Sequence, residues 1–327
     1  MKEFTIGNND AGQRLDRFIS KTAPLLPSSL AQKYIRIKRI KINHKSAAKD
    51  HKLAYGDTVQ LYINDEFFEK TNEENAYLKI TNPTLEIVYE DANIILINKP
   101  AGTLCHSDEK NNTRTLLSEI HAYLYKRGEW NPQIENSFAP ALCNRIDRNT
   151  SGIVIAAKNA QALRIINEKI KEREIEKHYL AIVRGTPNPP IATLKAYLFK
   201  DAVKNQVFIS KTSKPGTKTA IMEYITISAN KGLSLLKCRL ITGRTHQIRA
   251  QLASIGHPLL GDGKYGSERE NKTYGEKYQA LCSYKVIFAF KTDAGTLNYL
   301  NKKAFCVSGI PFIKKYFPSA DISIDIS

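Results

Sequence analysis

The sequence predicts an α+β protein in two parts. A small αβ unit spans residues 1–62, a connecting segment spans 63–83, and a larger unit over 84–327 is built on a large, mostly antiparallel mixed sheet flanked by helices. Three observations predict this. Two helical periods followed by short strand signals fill the first fifth of the chain, an acidic and polar stretch interrupts it, and strand signals dominate from residue 84 onward with only a few helical windows among them.

In the first part, "GQRLDRFISKTA" and "SSLAQKYIRIKRIKIN" each have helical spacing. Leu15, Phe18 and Ile19 fall on one face of the first helix, and Ser28 and Ser29 are candidate N-caps for the second. "KINHKSAAKDHKLAYGDTVQLYI" then reads as short strands around turns at Asn43-His44 and Gly56-Asp57. The stretch "NDEFFEKTNEENAYLKITNPT" has the composition of a linker. Beyond it, "LEIVYEDANIILINKP" reads as two strands around a turn at residues 90–93. Residues 113–128 and 159–175 have helical spacing, and "HYLAIVRG", "TAIMEYITIS", "LSLLKCRLIT" and "YKVIFAF" are further strands.

Of the 327 residues, 49 are Lys or Arg against 32 Asp or Glu, a net charge of +17, which is the electrostatic footprint of a nucleic-acid binder. From Arg14 to Asp57 there are eleven bases against three acids, so about half of that excess sits in the first part. No run approaches the roughly 18 apolar residues that span a bilayer, and the N-terminus lacks the apolar core of a signal peptide. A cytoplasmic protein without a membrane partner is expected. The five cysteines stand singly with no CxxC pair, the pattern of free thiols and not of a zinc site or disulfide frame.

Four segments carry candidate chemistry. In "NRIDRNTSGIVIAAK", Asp147 lies between Arg145 and Arg148 on a loop entering a buried strand. Nearby positive charge favours its ionised form, which suits a nucleophile, a base or a metal ligand, although by itself the pattern is more commonly that of a surface ion pair. In "KHYLAIVRG", Tyr179 shares a strand face with Ala181 and Val183, as a packing residue or as a platform for a base. In "LITGRTHQIRAQLASIGHPLLGDGKYG", Thr245 is a candidate cap for a helix whose apolar face is Ile248, Leu252 and Ile255. Arg249 beside that face calls for an anionic partner unless it snorkels to solvent. In "LINKPAGTLCHSD", the turn at residues 99–102 is of the kind that brings backbone close to a ligand. His246 and His257 lack neighbouring ligand types for a metal, and the glycines at 261 and 263 lack phosphate-loop spacing.

Taken together and in this order, the four segments resemble the RluA-type family of pseudouridine synthases. That family's elements correspond here to "NKPAGTLCH", "NRIDRNTSG", "KHYLAIVRG" and "GRTHQIRAQLASIGHPLLGDGKYG", and the resemblance runs over about residues 84–292. The first part, through "RLDRFI", "SSLAQKYIRIKRIKIN" and "KLAYGDTVQLYI", resembles the small RNA-binding domain named after ribosomal protein S-four, a frequent companion in that family.

The resemblance implies the pseudouridine synthase fold and an isomerase that flips a uridine out of folded RNA and reattaches the base through carbon. It implies Asp147 as nucleophile, Tyr179 packed against the target base, and Arg249 as the partner that keeps the aspartate charged in a dry site. It also implies that Arg145 fills the gap left by the flipped base. Further RNA contacts are expected at Arg148, Lys99, Arg244 and His246, and in the first part at Arg14, Lys33, Arg36, Lys38 and Arg39. Asn144 stands where the family most often has histidine. The expected substrate is RNA, with large-subunit ribosomal RNA ahead of transfer RNA. The chemistry calls for no cofactor and no metal, and a monomer is expected. Two other readings compete: a non-catalytic RNA-binding factor of ribosome assembly, and a carboxylate hydrolase, which needs a second acid such as the sequence-distant Asp108 or Asp262.

Overall fold

The computed structural model describes residues 1–69, 76–107, 114–201 and 206–323. Residues 2–61 form a four-stranded sheet of β1 (Lys2–Thr5), β2 (Ile40–Ile42), β3 (Lys45–Ser46) and β4 (Thr58–Leu61), in the order β1-β4-β2-β3. Helices α1 (Leu15–Thr22) and α2 (Ser28–Arg36) bury Leu15, Phe18, Ile19 and Ile35 against Ile40, Val59 and Leu61 of the sheet. Ser28 is not the cap of α2: Pro27 occupies that position, with no side-chain capping bond, and Ser28 is already helical.

The second sheet has eleven strands. They are β5 (Ile87–Glu90), β6 (Ile94–Lys99), β7 (Ala141–Leu142), β8 (Ser151–Ala157), β9 (Ile175–Arg184), β10 (Ile191–Asp201), β11 (Gln206–Ser210), β12 (Lys218–Asn230), β13 (Leu233–Leu240), β14 (Leu281–Phe288) and β15 (Ala304–Cys306). The order is β11-β10-β12-β13-β9-β14-β8-β6-β5, with β7 beside β8 and β15 beside β14. Among the described residues only β14 and β8 run parallel, so the mostly antiparallel mixed sheet that the strand signals predict is the observed one.

Its central strands are apolar without alternation because both faces are covered. Ile94, Leu96, Ile153, Ile155, Leu180 and Ile182 point to one side, where α4 (Ala160–Lys171) adds Ala162 and Ile166. Ile95, Ile97, Val154, Ala156, Tyr179, Ala181 and Val183 point to the other, under α3 (Leu116–Lys126) and α5 (Gln247–Ser254). β1, β7, β10, β11 and β15 lie outside the strands that the sequence predicts.

The segment at 63–83 is anchored at both ends. Phe68 completes the core of the first unit, whereas Tyr77 and Ile80 join the second, with the Tyr77 ring 5.2 Å from that of Trp130. A polar seam also joins the two units. Asp10, nearly fully buried, accepts from Asn136 Nδ2 at 2.8 Å and Ser137 Oγ at 2.6 Å, and Asn9 Oδ1 accepts from the Ala160 amide at the first turn of α4.

The parallel pair explains the sequence Thr150-Ser151-Gly152. Ser151 and Gly152 lie opposite Cys282 and Ser283 of β14, and Tyr179 of β9 lies opposite Ser283 on the far side. Gly152 has φ +111°, and a Cβ there would sit 2.3 Å from the Ser283 carbonyl oxygen. Thr150 is held from above by Gln279, whose Nε2 donates to its hydroxyl at 3.1 Å. Gly152→Ala therefore meets both backbone strain and overlap, and it should lower unfolding stability by about 2–4 kcal/mol. A wild-type denaturant midpoint for this variant would show that β8 and β14 do not approach this closely.

Candidate active site

The loop that enters β8 and the loop that enters α5 face each other across a cleft of about 780 Å³. Seven lysines and arginines line it, and Asp147 is its one carboxylate among the described residues, so the cleft favours a polyanion around a single fixed negative charge.

Asp147 is held by its own turn, in which the Thr150 amide donates to the Asp147 carbonyl at 3.1 Å. Its Oδ2 accepts from Arg249 Nη1 at 2.8 Å, while Oδ1 takes no hydrogen bond from the described residues and the side chain remains about a quarter exposed (24%). Tyr179, buried two strands away, lines the same cleft, and burial pushes its hydroxyl up to about 12, so it stays protonated at neutral pH.

Arg249 sits on the first turn of a helix that is buried all round from Gln247 to Leu252, which rules out snorkelling. Its anionic partner is double. Asp262, fully buried, accepts from Nε at 2.7 Å and from Nη2 at 2.9 Å, and the third guanidinium nitrogen is left for Asp147. Burial alone would lower the Arg249 pKa, but the bonds and charges of Asp262 and Asp147 outweigh it and raise it. Burial would likewise raise Asp262, yet Arg249 and the amides of Lys264 and Tyr265 hold it below the usual carboxylate range. The turn that delivers Asp262 needs Gly261, whose φ is +77° and whose Cβ would lie 2.1 Å from the Tyr278 carbonyl oxygen.

The start of α5 differs from the sequence expectation. His246, not Thr245, is the N-cap, in the left-handed region at φ +52°, and it caps nothing with its side chain. The Gln247 side chain instead ties the loop before α5 to β12: its Oε1 accepts from the Arg244 amide and the Thr242 hydroxyl while its Nε2 donates to the Ile221 carbonyl. Ile255 is exposed, so the apolar contacts of α5 come from Ile248 and Leu252, and from Ala250, which packs against Leu198, Val207 and Ala220. The left-handed turn aims His246 at the cleft. Its Nε2 lies 3.8 Å from Asp147 Oδ2 and its Nδ1 lies 3.0 Å from Tyr265 Oη. Burial drives its pKa down to about 4, against the pull of Asp147, so the ring is neutral at neutral pH.

The other expected RNA contacts divide. Arg145, Arg148 and Arg244 are exposed along the cleft, Arg148 Nε donating to the Gly102 carbonyl and Arg244 Nε to that of Thr219. Lys99 is a correction: it is fully buried and its ammonium donates to the carbonyls of Pro100, Thr103 and Arg148, with burial lowering its pKa to about 8. It clamps the turn at 99–102 to the Asp147 loop and has no surface to offer RNA. Gly102 in that turn approaches the Tyr278 hydroxyl, not an open site.

In the first unit, Lys33, Arg36 and Lys38 line one groove together with Lys49. Arg14 is elsewhere, paired with Asp16, and Arg39 lies over the Tyr34 ring. Asn144 lines the cleft, but its Oδ1 accepts from the Ile155 amide at 2.8 Å, so it also secures the edge of β8. The sequence reading passed over Lys177, whose amine lines the cleft and is driven down in pKa by burial, and over Tyr265. Of the two acids the hydrolase reading names, Asp108 lies outside the described residues, and Asp262 has both oxygens occupied by Arg249 and is not a free second acid.

A basic cleft around one paired carboxylate, on a large mixed sheet, suits an enzyme whose substrate is a polyanion. Comparison with known proteins fixes the class. Residues 93–254 match the family described as RNA pseudouridylate synthase. An uncharacterised RNA pseudouridine synthase of Mycoplasma genitalium is 32% identical over 88% of this chain and 88% of its own. Ribosomal large subunit pseudouridine synthase C of Haemophilus ducreyi is 32% identical over 81% of this chain and 79% of its own. In fold alone, human RNA pseudouridylate synthase domain containing 1 is similar with a TM-score of 0.55 over 73% of this chain and 89% of that one, at 20% identity. The chain belongs to the RNA pseudouridylate synthase family, and it is an RNA pseudouridine synthase.

If Asp262 holds Arg249 in place, Asp262→Ala leaves a buried guanidinium with one partner and should destabilise the protein by about 3–5 kcal/mol. Chemical denaturation of the variant measures this, and a loss below 1 kcal/mol would mean that Arg249 does not depend on Asp262.

Proposed function

We propose that Asp147 is the nucleophile of the isomerisation, that the target uridine is flipped into the cleft, and that the RNA is large-subunit ribosomal RNA. One observation carries the first two points: the cleft carboxylate that stands alone among the described residues is ion-paired to a buried arginine and presents an oxygen that none of those residues bonds. A uridine within folded RNA exposes neither its sugar carbon nor its ring, so the nucleotide must leave the stack, at a cost of a few kcal/mol that phosphate contacts offset. Arg145, Arg148, Lys177 and Arg244 supply those contacts around Asp147. Tyr179, rigid in the sheet and protonated, supplies the wall against which the base packs. Arg249 pairs with the carboxylate during the approach of the base, when water leaves the cleft.

The assignment to large-subunit RNA rests on the names of relatives such as the Haemophilus enzyme. The unit at 1–62 would act as a second, non-catalytic RNA contact through the groove of Lys33, Arg36, Lys38 and Lys49.

Asp147→Ala should retain RNA affinity within a few-fold and lose detectable isomerisation when ribosomal and transfer RNA transcripts are mapped for pseudouridine. Substantial residual conversion would remove Asp147 as nucleophile, and conversion of transfer RNA alone would move the substrate. Replacing Lys33, Arg36, Lys38 and Lys49 by alanine should flatten the dependence of log affinity on log salt by about two to three, at roughly 0.7 per lost phosphate contact on single strands. An unchanged slope would place the RNA elsewhere.

A further inference from the structure

The hydrogen bonds around His246 determine which of its nitrogens carries the proton. Tyr265 Oη accepts from the Val207 amide of β11 at 2.9 Å, and His246 Nδ1 lies 3.0 Å away on the same oxygen. The amide is a donor only, so if Nδ1 also donated, the proton of the half-buried Tyr265 hydroxyl would have no acceptor among the described residues. All three groups are satisfied in one arrangement: Val207 N–H donates to Tyr265 Oη, Tyr265 O–H donates to Nδ1, and the imidazole proton resides on Nε2. That Nε2–H lies 3.8 Å from Asp147 Oδ2, too far for a hydrogen bond and directed into the cleft beside the reacting centre. The ring is fixed edge-on to Tyr265, with centroids 5.7 Å apart and planes at 82°. Tyr265 is itself covered by the Arg249 guanidinium at 5.2 Å. Other charges facing the ring are Asp262 and Lys264.

We propose that His246 is a catalytic hydrogen-bond donor, locked as the neutral Nε2–H tautomer by Tyr265, that stabilises the negative charge of the detached uracil without protonating it. The proposal rests on Asp147 marking the reacting centre. Chemistry supplies the reason for a neutral donor. When the C1′–N1 bond breaks, its electron pair stays on the ring and spreads over N1 and the two carbonyl oxygens. The C5–C1′ bond then forms with a pair from that ring as C1′ leaves the Asp147 oxygen that took it up when N1 departed, the C5 proton leaves, and N1 takes up a proton, so the product is an isomer of the substrate. An imidazolium at this position would protonate the ring first and remove the nucleophile that C5 needs. A neutral imidazole N–H is too weak an acid to do so, yet it still contributes as a fixed donor in a site closed to water. Tyr265 is then a positioning residue, acting through His246, and Val207 ties both to the edge of the sheet.

Long-range ¹H–¹⁵N correlation on the full-length labelled protein reads the tautomer directly. The expected result is a neutral Nε2–H ring from pH 8 to pH 5, and in Tyr265→Phe a shift toward the Nδ1–H form. Activity should follow. His246→Ala should lower kcat about 100-fold, as for loss of one preorganised donor, with KM for RNA within a few-fold. His246→Gln, which keeps an N–H, should recover part of that loss, and Tyr265→Phe combined with His246→Ala should be no worse than His246→Ala alone. An Nδ1–H tautomer, an imidazolium at neutral pH, wild-type kcat in a folded His246→Ala, or a folded His246→Gln no better than His246→Ala would overturn the proposal. Failure of the Asp147 reading shows separately, as isomerisation by Asp147→Ala with the His246 tautomer as expected.

Discussion

The site depends on one buried guanidinium shared between two carboxylates. A buried charge is tolerated only when its hydrogen-bonding groups are filled, and Arg249 meets that condition with Nε and Nη2 on Asp262 and Nη1 on Asp147. Asp262 carries the structural share. It is fully buried, also holds the Lys264 and Tyr265 amides, and enters through a glycine turn that no side chain would fit. Asp147 can therefore keep one oxygen unbonded, because the orientation of the arginine does not rest on it.

The sheet sets the other coordinate. β8, β14 and β9 place Gly152, Ser283 and Tyr179 in one row, and strand spacing makes the step from the Asp147 loop to Tyr179 about 10 Å. Thr150, Gly152 and the buried Lys99 serve this placement and not RNA contact. Each fastens the Asp147 loop to β14 or to the turn after β6. The Asn144 side chain belongs with them, since it satisfies the Ile155 amide where the short β7 ends. A histidine at that position would have to make or replace the same bond, so the departure from the usual family residue touches the framework of the cleft as well as its lining.

Much of this was legible in the sequence because hydrophobic period reports burial. The inward face of α1 at Leu15, Phe18 and Ile19 and the two-sided apolar runs of β6, β8 and β9 follow from residue order alone. Failures occurred where a tertiary contact overrides local preference. Thr245 and Ser28 are good capping residues, but His246 and Pro27 take the N-cap positions, neither with a side-chain capping bond. Lys99 reads as a surface cation in a string of letters, and only three converging carbonyls show it to be internal.

By itself the sequence determined that the chain is basic, that its second part is a large two-sided sheet, and which family its four segments resemble. Charge and periodicity are local sums and survive in one dimension. The tertiary structure alone decided that Asp262, thirteen residues beyond Arg249, grips it while Asp147, a hundred residues before, borrows its last nitrogen. It likewise decided that Tyr265 and Val207 fix the His246 proton. Hydrogen bonds depend on distances of about 3 Å between groups far apart in the chain, and no spacing rule in a sequence encodes those.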